Sequence, residues 1–112
     1  MINFPLSASK RVNDILFISG QIGQENGQLV SDGLEEQTVQ AINNLKNILK
    51  EEGLSIKNVI DVTVFLIDQN DYIALNEVYA KEFKEPYPTR TVVTIKSLPL
   101  GAKVELKAIA MF

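Results

Sequence analysis

The sequence predicts a single α+β domain over residues 1–112, with one mixed sheet and two helices on one of its faces. Three observations lead there. Segments of β-like and helix-like period follow one another in the order ββαβαββ, the pattern of a sheet layer packed on a helix layer. Apolar residues make up 46% of the 112 positions and charged residues 22%, an ordinary balance for one globular domain. No linker, repeat or low-complexity tract interrupts the chain. A chain of this length buries about two-thirds of its unfolded surface, enough for a core.

Leu6 to Val12 and the apolar run Ile15–Ile22 read as paired strands around an Asn13-Asp14 turn. Glu25-Asn26-Gly27-Gln28 is a second turn signal. Leu34 to Glu52 reads as a helix, because Leu34, Thr38, Ala41, Ile42, Leu45, Ile48 and Leu49 recur at three-to-four spacing. Asp32 is placed to cap its start and Gly53 to end it. Val59 to Leu66 is nearly continuous apolar sequence, as in a strand covered on both faces. Polar residues from Asp68 to Asp71 lead into a helix from about Tyr72 to Phe83, with Leu75, Tyr79 and Phe83 on one stripe. Pro86 and Pro88 end it. Thr89 to Ile95 is a β-branched strand, Leu98 to Gly101 a loop, and Val104 to Met111 the last strand. With both helices on one face, the other sheet face needs cover. Apolar residues there would favour sheets packing on one another in an oligomer.

The residue types that are missing exclude much chemistry. The chain has no His, no Cys and no Trp. Thiol nucleophiles, disulfides, imidazole bases, Ser-His-Asp triads and the usual zinc sites are all excluded. Catalysis must use carboxylates, Lys, Arg, hydroxyls, backbone groups or water. The formal net charge of −3 argues against nucleic acid as the main partner, since phosphate binding needs a basic patch. Met1 to Pro5 lacks a charged start and a long apolar stretch, so no export signal is expected there, and no apolar run approaches a membrane span. The expected compartment is the cytoplasm.

Arg90 is one of only two arginines, beside nine lysines. Strand alternation places it on one face with Val92 and Thr94, and its planar fork suits a carboxylate. The alternative is a surface arginine paired with an acid. Glu105 lies in the last strand and shares a face with Lys107, Ile109 and Met111; a half-buried carboxylate there can act as general base, or simply pair across the strand. Ser19 and Gly20 close an apolar strand. The serine can donate a hydrogen bond but has no His partner to make it a nucleophile, and the glycine suggests a bulge or a close approach. Asn76 lies mid-helix, one turn from Tyr72 and Ala80. Asp61 is either buried in its strand or marks an edge. Tyr72, Tyr79 and Tyr87 read as packing residues.

Five segments in order carry a resemblance: Phe17-Ile18-Ser19-Gly20-Gln21-Ile22-Gly23, Asp61 to Leu66, Asn76-Glu77-Val78-Tyr79, Tyr87 to Val93, and Leu98 to Ala110. Together they resemble the Rid/YjgF family of reactive-intermediate deaminases, from about Pro5 to the C-terminus. The resemblance implies a chorismate-mutase-like subunit and a homotrimer with three clefts between subunits. It implies hydrolysis of 2-imino acids, such as 2-iminobutanoate and 2-iminopropanoate, to 2-keto acids and ammonia, with no metal or cofactor. Arg90 would clamp the substrate carboxylate, Glu105 would position or activate water, and Ser19, Gly20 and Asn76 would line or support the cleft. Two departures stand out: Leu6 and Val92 replace a Tyr and a Cys that many members carry. The rival readings are a module that binds a small carboxylate without turnover, favoured by Leu6, and a ribonuclease or translation inhibitor, disfavoured by the acidic charge and the missing His.

Overall fold

The computed structural model describes residues 4–112. Met1–Asn3, the start of the segment read above as carrying no export signal, lie outside the described residues.

The described chain forms a five-stranded sheet in the order β1-β2-β7-β5-β6. Its strands are β1 (Ser9–Val12), β2 (Ile15–Ile22), β5 (Val59–Leu66), β6 (Thr89–Thr94) and β7 (Val104–Met111). The expected turn at Glu25–Gln28 is a small separate hairpin of β3 (Gln24–Glu25) and β4 (Gln28–Leu29). All pairs in the main sheet are antiparallel except β5 with β6. A parallel neighbour needs a long crossover, and helix α2 (Tyr72–Glu82) supplies it. The sheet is therefore mixed, as expected.

Helix α1 (Leu34–Glu51) packs against β2, β7 and α2. Its apolar stripe, with Ala41, Ile42, Leu45 and Leu49 fully buried, meets Leu16, Ile18, Val62, Val64, Leu106 and Ala108 from the sheet. The predicted stripe of α2 holds as well: Leu75, Tyr79 and Phe83 are buried, the last just past the helix end. Gly53 takes the left-handed conformation (φ +75°) that ends a helix without a Cβ penalty.

Three local expectations are corrected. The N-cap of α1 is Gly33 rather than Asp32, and no side chain caps the helix. The Ser31 hydroxyl instead accepts from the Gly33 N–H (2.9 Å), turning the chain one residue later than expected. Only Ser9–Val12 of the first segment forms ladder strand, although the Ser19 N–H still donates to the Ala8 carbonyl (2.9 Å). Within the single chain, strand β5 is covered on one face only. Val62, Val64 and Leu66 are buried under the helices, while Thr63 and Phe65 on the opposite face are half-buried.

Two close approaches fix the end of β2. A methyl group on Gly23 would lie 2.4 Å from the Gln37 Cα and carbonyl oxygen, so only glycine lets β2 reach α1 here. Asn44 then donates to the carbonyls of Ile22 (3.1 Å) and Gln24 (3.0 Å), pinning the strand end to the helix.

Candidate active site

The sheet register divides the predicted site residues between its two faces. Arg90 pairs with Val62, whose side chain is buried on the helix side. Glu105 pairs with Phe65, three residues further along β5 and so on the opposite, open face. Within one chain, Arg90 and Glu105 do not share a cleft.

On the helix side, Arg90 and Asn76 come together. Both line a surface hollow of about 320 Å³, with Tyr79, Ala80, Tyr87 and Pro88 completing its wall. The spacing of Tyr72, Asn76 and Tyr79 puts them on one stripe of α2, and the parallel crossover lays β6 beside it. The guanidinium carbon of Arg90 lies 4.8 Å from the Tyr79 ring centre and 5.7 Å from that of Tyr72. Its Nη2 donates to the Tyr72 hydroxyl at 3.3 Å. The sequence marks both tyrosines as packing residues, and Tyr79, stacked on Phe83, is that as well. The signal that could have singled them out is their shared stripe with Asn76.

On the open face, Gly20 and Glu105 come together, while Ser19 lines a separate hollow with Lys10, Phe17 and Lys107. Register shifts between Ile18 and Gln21, so Ser19 and Gly20 form a bulge against β7. The bulge brings Gly20 against the Glu105 carboxyl group, where a methyl group would lie 2.8 Å from Cδ and Oε2. Glu105 is half-buried, and burial pushes its carboxyl above the ordinary carboxylate range. Ser19, expected to donate toward a ligand, donates its proton to the Ser7 carbonyl (2.6 Å) and so offers a ligand only an acceptor. Asp61 is half-buried and accepts from the Thr89 hydroxyl (2.7 Å). Leu6, at the position where many family members carry Tyr, is exposed.

A larger hollow, about 470 Å³, lies under the β3–β4 hairpin around Glu25, Asn26 and Gln28. It brings together no cation and no buried titratable group, so it lacks the convergent chemistry of the Arg90 hollow. Among the described residues no cluster of three carboxylates could hold a metal ion. Among the described residues no helix is long and apolar enough to cross a membrane.

Fold and site together define a small α+β protein with one arginine facing a hollow on the helix side and one half-buried carboxylate on the open face. A family model described as endoribonuclease L-PSP matches residues 3–112. The chain is 40% identical over 109 residues to a 2-iminobutanoate/2-iminopropanoate deaminase of Homo sapiens, covering 96% of this chain and 80% of that one. It is 39% identical over 108 residues to Reactive Intermediate Deaminase A, chloroplastic, of Arabidopsis thaliana, covering 95% of this chain and 58% of that one. The crystal structure of RidA from a Psychrobacter species superposes with a TM-score of 0.94 at 33% identity, covering 100% of this chain and 92% of that one. This chain belongs to the Rid/YjgF family.

Proposed function

We propose that this protein hydrolyses reactive 2-imino acids, 2-iminobutanoate and 2-iminopropanoate among them, to 2-keto acids and ammonia. The observation that carries the reading is Arg90, a half-buried guanidinium that forms no ion pair among the described residues and faces an open hollow. A cation held without an acid partner is a receptor for a substrate carboxylate. The activity printed for relatives at about 40% identity agrees with it.

The chemistry asks little of the protein. A protonated imine is already electrophilic at C2. Arg90 holds the carboxylate, and Glu105 takes a proton as water adds to C2. Glu105 then returns the proton to the carbinolamine nitrogen, the C–N bond breaks as the oxygen lone pair forms the C=O, ammonia leaves, and the again ionised Glu105 takes the hydroxyl proton. Orientation of water and substrate supplies most of the acceleration. Gly20 leaves room for the Glu105 carboxyl group, and Asn76 supports the Arg90 side of the cleft.

Because Arg90 and Glu105 lie on opposite faces, both can reach one substrate only if a second copy contributes one of them. The open face favours this: Phe17 (42% exposed), Val93 (37%) and Met111 (47%) lie on it or at its margin, beside half-buried Phe65 and Ile109. A homotrimer with three clefts between subunits closes that face and completes the site. The cytoplasm is the proposed compartment.

Two other readings are outcomes of the test. Exposed Leu6 offers no hydroxyl where many family members carry Tyr, which favours binding of a small carboxylate without turnover. Endoribonuclease action, the description of the matching family model, is disfavoured by the missing His and the net charge of −3. The decisive experiment generates 2-iminobutanoate with a threonine dehydratase and follows 2-ketobutyrate formation. Acceleration that Arg90→Ala reduces about a hundredfold supports the enzyme, as expected for lost charge-assisted hydrogen bonds. No acceleration, or the same acceleration by Arg90→Ala, overturns it.

A further inference from the structure

This inference rests on the reading of Arg90 as carboxylate anchor. Half-buried arginines are ordinarily held in place by acids, yet the ion pair found among the described residues is Lys46 with Glu82, on the two helices. Arg90 has no carboxylate oxygen within 4.0 Å. Two aromatic rings take that place.

We propose that Tyr72 and Tyr79 are positioning residues for Arg90, holding its guanidinium by their π faces so that its donors stay available to the substrate carboxylate. An acid would hold the guanidinium more tightly but would occupy the same in-plane donors the substrate needs. A ring face attracts the cation without accepting those hydrogen bonds. Both ring centres lie within 6 Å of the guanidinium carbon, and the single hydrogen bond Arg90 makes to them, to the Tyr72 hydroxyl, is long at 3.3 Å.

The two rings divide the task. Tyr79 is the fixed one: it is buried and stacks on buried Phe83, with ring centres 4.2 Å apart and planes 10° from parallel. Its hydroxyl is buried with no partner among the described residues. Burial pushes that hydroxyl up to about 12, against the opposing pull of Arg90. A tyrosinate there would cancel the guanidinium charge; an ordinary phenol is already neutral at physiological pH, and burial moves this one further from ionising. Tyr72 is the exposed one, at 44% accessibility, and its hydroxyl is the partner that Arg90 can exchange for a substrate oxygen.

Four variants test this: Tyr72→Leu, Tyr72→Phe, Tyr79→Leu and Tyr79→Phe. Readouts are KM and kcat for the imine, and calorimetric binding of 2-ketobutyrate. Both Leu variants are expected to weaken binding and raise KM about tenfold, with kcat within about twofold; both Phe variants are expected to stay within about threefold of the parent. The spectroscopic readout is the Nε–H resonance of Arg90, assigned against Arg11→Lys because the chain has two arginines. It should move in Tyr72→Leu and stay in Tyr72→Phe. If Tyr79→Leu does not fold, the exposed Tyr72→Leu decides. Unchanged KM and an unmoved resonance in Tyr72→Leu overturn the proposal. If Arg90→Ala itself leaves 2-ketobutyrate binding intact, the anchor reading fails. If Arg90→Ala abolishes binding while Tyr72→Leu binds as the parent does, only the positioning role fails.

Discussion

Gly20 leaves the space that the Glu105 carboxyl group occupies: a methyl group on residue 20 would stand 2.8 Å from Cδ and Oε2 of Glu105 and 3.1 Å from Cγ. Glu105 has no hydrogen-bond partner within the described chain to hold it against such a push. The backbone of Gly20 does not require glycine, since its φ is not in the left-handed region. Its role is room for the carboxylate.

Gly20→Ala is therefore expected to fold normally and to displace Glu105. A shift of about 1 Å in a catalytic group costs on the order of a hundredfold in rate. The check is kcat with thermal melting alongside. Full activity in Gly20→Ala would mean that the position of the Glu105 carboxylate does not matter.

The pH dependence follows from the same carboxylate. Burial raises its folded pKa above the unfolded value, so the folded state holds the proton more tightly. The stability this contributes is full below the unfolded pKa and lost as pH rises through the folded one. As a base, Glu105 works only when ionised, so kcat/KM should fall on the acid side at a pH above the ordinary carboxylate range. Glu105→Gln should lose that acid limb along with most of the rate, and should show no penalty in denaturant stability at neutral pH.

The division of Arg90 and Glu105 between opposite faces predicts complementation. Arg90→Ala and Glu105→Gln should each be nearly inactive alone. Unfolded together at equal amounts and refolded, they should recover about a quarter of parental activity. In a cyclic assembly, one cleft in four draws both intact residues from different copies. No recovery, in a mixture that light scattering shows to be trimeric, would mean that both residues of a cleft come from one chain.

Gln37 carries a structural prediction. It is buried in α1, where its amide donates to the Ser31 carbonyl (2.9 Å) and accepts from the Lys103 N–H (2.8 Å). Gln37→Leu would strip the half-buried Lys103 amide of its partner at the entry to β7, and leave the Ser31 carbonyl without its donor. The expected loss is about 1–3 kcal/mol, read by urea unfolding at fixed protein concentration.

Much of the fold was legible because its signals are local. The three-to-four spacing of Ala41, Ile42, Leu45 and Leu49 places α1, and Val104–Met111 matches its strand end to end. The miscast details are those where a neighbour overrides local preference. Asp32 is a good cap by type, yet Ser31 takes the turn. The apolar run of β5 looked covered on both faces, but only the face bearing Val62, Val64 and Leu66 has helices above it.

Residue chemistry alone excluded thiol and imidazole mechanisms and the usual zinc sites, because a chain without His or Cys carries no such groups in any fold. It also singled out Arg90 and Glu105, whose charges are uncommon within β-branched and apolar strands. How those residues stand to one another was a matter of long-range pairing. The register of β6 on β5 turned Arg90 toward Tyr72 and Tyr79, and the register of β7 on β5 turned Glu105 away, toward Gly20. A shift of one residue in either pairing would exchange the faces while leaving every local signal unchanged.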